Sequence, residues 1–224
     1  IYDYSWSLVN QETAPLAPLE SMQFGHALDW ILRELILADP ALGLVELLKL
    51  DVSDGFYRVN LAIDDIPQLG VAFPTKPGEP KLVAFPLVLP MGWRNSPPIF
   101  SAATETIADL ANERIRRGDA PAAHPLDEAA EAVTPECPLE GAPREGVAGG
   151  EPEPPRDPSL PASGRPAAYI DVFVDDFVAL AQGRGNGRRV RRVLLHAVDN
   201  VLRPLDAMDD RFRREPVSLK KLRK

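Results

Sequence analysis

Between residues 118 and 166 the chain changes character, and that change limits what the rest can fold into. This stretch holds nearly half of the chain's 24 prolines, with Ala, Glu and Gly filling most of the remainder. Such a composition offers too little apolar surface to offset the entropy of ordering. A disordered Pro/Glu-rich insertion is predicted there, so any core must be assembled from residues 1–117 and 167–224. Charge divides the same way. The insertion carries ten Asp/Glu against three Arg, which accounts for most of the chain's net charge of −8. From Gly183 onward thirteen Lys/Arg face five Asp/Glu. That asymmetry suits a surface facing polyanions and equally suits a solvated helix face.

The first block opens on Ile1 to Val9, which reads as a strand carrying Tyr2, Tyr4 and Trp6, followed by a run broken at Pro15 and Pro18. From Ser21 to about Ala38, Phe24, Leu28, Ile31, Leu32 and Leu35 recur at helical spacing until Asp39-Pro40 stops the pattern. Val45 to Val52 is a short apolar run that suits a core strand, and it ends at two carboxylates, Asp51 and Asp54. An extended segment over Arg58 to Ala72 and a strand over Leu82 to Val88 are predicted next. LPMGWRNSPPIF, Leu89 to Phe100, then opens a helix with Ser96 as N-cap and Pro97 and Pro98 in its first turn.

In the second block, Tyr169 to Ala181 places two apolar runs around Asp175-Asp176, the pattern of a tight hairpin with carboxylates at its tip. No glycine eases that turn, so backbone strain is predicted. A helix from about Arg188 to Met208 gathers Val190, Val193, Leu194, Ala197, Val198, Val201 and Leu205 on one stripe. Cys137 is the only cysteine, which excludes an intrachain disulfide and a Cys-based zinc cluster and makes an intracellular home the default. No apolar run approaches the roughly 18 residues of a membrane span, and no signal peptide layout opens the chain. The three histidines make no ligand spacing.

Asp51, Asp175 and Asp176 would be costly if they merely faced an apolar core. Around a divalent cation they make sense. Asp oxygens are hard ligands that suit magnesium or manganese, and a cluster from two segments can hold two ions for nucleotidyl transfer. Each piece alone more often marks a surface turn or a cap; their order along one chain is more specific.

With the carboxylates placed, the segments resemble reverse transcriptases. LDVSDGFY is similar to that family's motif A, LPMGWRNSPPIF to motif B, and FVDD to the motif C box written YxDD. The spacing of the first two resembles that of LTR retrotransposons. IYDYSWSLVN resembles the strand carrying DYRxLN in gypsy-like elements, and SLKKLRK resembles the start of motif D. The resemblance implies an α+β fold: a right-hand polymerase palm, its antiparallel sheet backed by helices. Residues 1–117 would hold a fingers remnant and the palm with motifs A and B, and 167–224 the motif C hairpin, the following helix and motif D.

It also implies roles. Asp51 and Asp175 would be the main ligands of two Mg2+ or Mn2+ ions, with Asp176 completing the acidic patch and the Val52 carbonyl adding a ligand. Asp54 and Gly55 fall at the triphosphate-facing turn, although Asp54 equally suits a helix cap. Phe56 falls where the family places an aromatic gate against the 2′ hydroxyl; its other reading is a core side chain. Met91 stands where retroviral enzymes often have Gln, and Gly92 would let the backbone approach the nucleotide. Trp93, Arg94 and Asn95 would begin the template path, and Lys220 or Lys221 would serve as general acid or belong to a basic tail. The implied partners are an RNA or DNA template with primer, and dNTPs, with no membrane.

The family's remaining fingers, its thumb and its RNase H have no counterpart in this chain, so the piece is expected to be weakly active or inactive alone. A non-catalytic retroelement remnant is the alternative. A magnesium phosphohydrolase is the third reading, and it is the poorest: haloacid-dehalogenase-like enzymes use DxD, whereas two residues separate Asp51 from Asp54.

Overall fold

The computed structural model describes residues 4–15, 26–131, 164–183, 185–204, 206, 208–209 and 214–218. In chain order the elements are α1 (Val9–Glu12), α2 (Ala27–Leu37), β1 (Val45–Asp51), β2 (Val71–Ala72), β3 (Val83–Ala84), α3 (Ser96–Arg117), α4 (Asp127–Glu131), β4 (Ala168–Phe173), β5 (Asp176–Gln182) and α5 (Asn186–Leu202). The fold is mixed α+β.

A three-stranded antiparallel sheet of order β1-β5-β4 organises it. Side chains alternate across a strand, so register decides which residues enter the core. Leu50, Phe177 and Val172 stand abreast, as do Leu48, Ala179 and Ile170, and these rows enter the apolar core with α3 and α5. Phe177, Ala179, Ile170, Val190, Val193 and Val198 are fully buried there. The other face carries Lys49, Asp51, Asp176, Val178, Asp171 and Phe173. A slip of one residue would drive Asp51 and Asp176 into the apolar layer, so register and acidic placement are one constraint.

Polar side chains tie down the margins. Asn112 of α3 donates to the Ile170 carbonyl (2.7 Å) and accepts from its N–H (2.9 Å), occupying backbone groups on β4. Gln182, 1 % exposed, donates to the carbonyls of Asp39 (2.6 Å) and Gly43 (2.9 Å) and accepts from Ala167 N–H (3.1 Å). Gln182→Leu leaves those groups without their partner, so a loss of about 2–4 kcal/mol in unfolding free energy is expected by chemical denaturation.

Several elements depart from the sequence-based expectation. Tyr4 to Leu8 is a turn leading into α1, not a strand. Ser7 Oγ donates to the Tyr4 carbonyl and Asn10 Nδ2 to Ser5 Oγ, local bonds that compete with a ladder. The early part of the helix predicted over Ser21–Ala38 lies outside the described residues, and α2 itself ends at Leu37. Arg58–Ala72 is mostly turn and irregular backbone, with a 3₁₀ segment at Ile66–Leu69 that holds Pro67 in its first turn, and only Val71–Ala72 is strand. Pro86 has no N–H to donate, and the strand predicted to Val88 shrinks to Val83–Ala84 plus one bridge, Asn60 to Val88. Asn95, not Ser96, is the N-cap of α3; Ser96 Oγ donates instead to the Pro90 carbonyl at 2.7 Å. Helix α5 stops at Leu202 because Pro204 disfavours helical geometry at Arg203.

The disorder predicted from residue 118 does not hold throughout, because part of 118–130 packs against the core. Leu126, Asp127, Ala130 and His124 are buried. His124 Nδ1 accepts from Leu126 N–H at 3.1 Å, which leaves its proton on Nε2, facing Asp199 Oδ2 at 3.2 Å. Burial would push the Asp127 carboxyl up, but hydrogen bonds from His124 N–H and Arg192 outweigh it and hold that carboxyl below its usual range. Residues 132–163 of that prediction lie outside the described residues, and 164–166 are exposed.

Candidate functional site

Strands β1 and β5 bring the sequence-predicted carboxylates to one end of the sheet. Asp51 stands directly opposite Asp176 in the antiparallel register, and Asp175 occupies the two-residue turn between β4 and β5. Directly opposed residues project to the same face, here the one away from α3 and α5. Asp51 is 2 % exposed, whereas Asp175 and Asp176 are half-buried.

The turn is strained as predicted: Val174 adopts φ of 61°, a left-handed conformation that a β-branched residue seldom takes. Tight hairpins need this hand, and no glycine supplies it here. Val52 N–H donates to the Asp175 carbonyl at 3.2 Å, which couples that turn to the residue after Asp51. In extended backbone the N–H and C=O of one residue point to the same edge, so the Val52 carbonyl faces the turn as well.

On the opposite edge, Val52 bridges Val217, with Ser53 N–H donating to Pro216 O (2.8 Å) and Ser218 N–H to Asp51 O (2.9 Å). Arg58 fixes that outer segment. Its guanidinium, with the side chain 3 % exposed, donates to the carbonyls of Ser53, Arg214 and Glu215. Burial lowers the Arg58 pKa, an effect opposed by Asp54 and Glu215.

The remaining predicted residues fall around this end unequally. Asp54, at φ 64°, precedes the Gly55–Arg58 turn without a side-chain capping bond, so the cap reading is corrected; its carboxylate lies 4.0 Å from Arg58. Gly55 adopts φ of 31°. Phe56 is half-buried, its ring tilted against Phe100 at 4.8 Å between centroids. The neighbouring Tyr57 is more open and joins Met91, Pro90, Tyr4, Val71 and Phe85 around a cavity of about 320 Å³. Gly92 adopts φ of 90°, while Trp93 and Asn95 are buried, so of the three proposed template-path residues only Arg94 is open. Lys220 and Lys221 lie outside the described residues.

Sequence reasoning missed Lys49. Its Nζ lies 2.8 Å from Asp176 Oδ2, two residues before Asp51 on the same strand face. The signal was the lysine inside LKLD, which period-two alternation places beside the carboxylates. Among the described residues, no three His, Cys, Asp or Glu side chains form a group that could hold a metal ion. Asp51, Asp175 and Asp176 share one sheet end without forming such a group, although carboxylates and a backbone carbonyl are the oxygen donors that a hard cation takes. Among the described residues, too, no helix is long and apolar enough to cross a membrane. No protein-family model matches the chain, and no curated protein matches it.

Proposed function

We propose that this chain is the palm of an RNA-directed DNA polymerase, joining dNTPs to a primer 3′ end on an intracellular template. One observation carries the reading: antiparallel pairing sets Asp51 opposite Asp176 and beside the Asp175 turn, on the sheet face opposite α3 and α5. Asp51 and Asp175, with the Val52 carbonyl and Asp176 beside them, would hold two magnesium or manganese ions. Bound there, the ions would lower the pKa of the primer hydroxyl and neutralise charge on the leaving pyrophosphate.

The chain's own residues supply the rest. Asp54 and Gly55 would face the triphosphate, and Phe56, braced on Phe100, would close the space a 2′ hydroxyl needs. Met91 and Gly92 would border the incoming nucleotide, and Lys220 or Lys221 would donate the proton that pyrophosphate takes up. Primer extension on an RNA template with Mg2+ or Mn2+ tests the reading, with dNTPs expected to be used in preference to NTPs.

Lys49 separates this proposal from a non-catalytic remnant. As a counter-ion it competes with metal for Asp176, so Lys49→Met is expected to tighten Mn2+ binding roughly threefold to tenfold, read from free Mn2+ by electron paramagnetic resonance. Unchanged, negligible Mn2+ binding in both proteins would favour the remnant.

A further inference from the structure

Resting on the polymerase reading, we infer that Asn10 is a positioning residue for the nucleotide-binding loop, setting the backbone of Gly92 through a two-point amide clamp. Asn10 Oδ1 accepts from Arg94 N–H at 2.8 Å, and Nδ2 donates to Gly92 O at 2.9 Å. Both partners are backbone groups of fixed polarity, so the side-chain amide has one orientation that satisfies them. It pairs with the loop as a neighbouring strand would, across more than eighty residues of sequence.

The rest of this segment grips the same loop. Trp93 Nε1 donates to Thr13 Oγ1 at 3.4 Å and Asn95 Nδ2 to Ala14 O at 3.0 Å. Those two bonds hold side chains on the buried side of the loop, since Trp93 and Asn95 are 4 % and 2 % exposed. Asn10 alone of the three uses its side chain to hold the loop's main chain at the exposed turn. Gly92 needs such a hold. At φ 90° it occupies a region that glycine enters freely and leaves as freely, and nothing in its own side chain restrains it.

Residue chemistry narrows the choice at position 10. A carboxamide offers a donor and an acceptor side by side. Aspartate would keep the bond from Arg94 N–H but set a carboxylate against the Gly92 carbonyl, and alanine would lose both contacts. A loop released in this way still binds metal at the carboxylates and still folds, but it presents Met91 and Gly92 to the nucleotide in many orientations.

The test uses the chain with a dideoxy-terminated primer on an RNA template, so that the complementary dNTP binds with Mg2+ but is not consumed. Asn10→Ala is expected to raise the dNTP dissociation constant roughly tenfold. Mn2+ affinity, and primer–template affinity measured without dNTP, should stay within about twofold. Asn10→Asp should give the same split, and it decides the matter if the alanine variant does not fold. A residue that merely supports the fold would weaken all three together, and that result, or an unchanged dNTP constant, overturns the inference. Asp175→Asn in parallel reports on the underlying reading: it should remove Mn2+ binding, and its failure to do so overturns the polymerase proposal whatever Asn10 does. Absence of dNTP binding by the parent chain overturns both.

Discussion

Asp175→Asn is expected to abolish the weak metal-dependent primer extension that this piece supports, with the melting midpoint nearly unchanged. The carboxamide keeps the shape of the side chain but loses the charge that would hold a hard cation. Asp175 sits in the two-residue turn beside Val174, and Val52 N–H donates to its backbone carbonyl. The substitution therefore leaves that link between turn and strand intact. The assay compares extension of a labelled primer by parent and variant with Mg2+ and with Mn2+. Activity retained within tenfold would remove Asp175 from the chemistry.

Arg58→Leu should produce the largest loss of stability, about 3–5 kcal/mol, or a melting midpoint lower by roughly 10 °C. The guanidinium donates to three carbonyls, of Ser53, Arg214 and Glu215, and is almost wholly buried. Leucine fills part of the space and leaves those carbonyls without their donor. The effect reaches the candidate site, because residues 214–218 pair with the backbone of Asp51, Val52 and Ser53. Thermal unfolding followed by circular dichroism reads the stability. Arg58→Lys should recover only part of it, since an ammonium keeps the charge but cannot make the planar fork.

Much of this site was legible in the sequence because it depends on local pattern. The run VELLKLD is apolar enough to be a core strand, and the DD between two apolar runs marked a hairpin tip; both strands and their turn stand there. The strain at that tip was legible too, since a tight turn without glycine must force some residue into left-handed geometry, and Val174 is that residue. What could not be read are interactions between residues far apart in the chain. Nothing near Arg58 announces that it will hold residues 214–218, and Asn10 clamps a loop more than eighty residues away. Composition misled at residues 118–131, where averaging over a proline-rich stretch hid a local set of Leu126, Ala130, His124 and Asp127 able to pack against α5. The N-terminal aromatics suggested a strand, but Ser7 Oγ donates to the Tyr4 carbonyl and Leu8 N–H to the Ser5 carbonyl, so the backbone is satisfied locally as a turn.

We propose that the sheet end bearing Asp51, Asp175 and Asp176 is a two-metal nucleotidyl transfer site. Its most direct measurement is the number of Mn2+ ions bound per chain, with a dideoxy-terminated primer–template and the complementary dNTP present. Two ions are expected in the parent chain, and none at that sheet end once both Asp51 and Asp175 are changed to Asn. Equal Mn2+ binding by the parent and the doubly substituted chain would contradict the account.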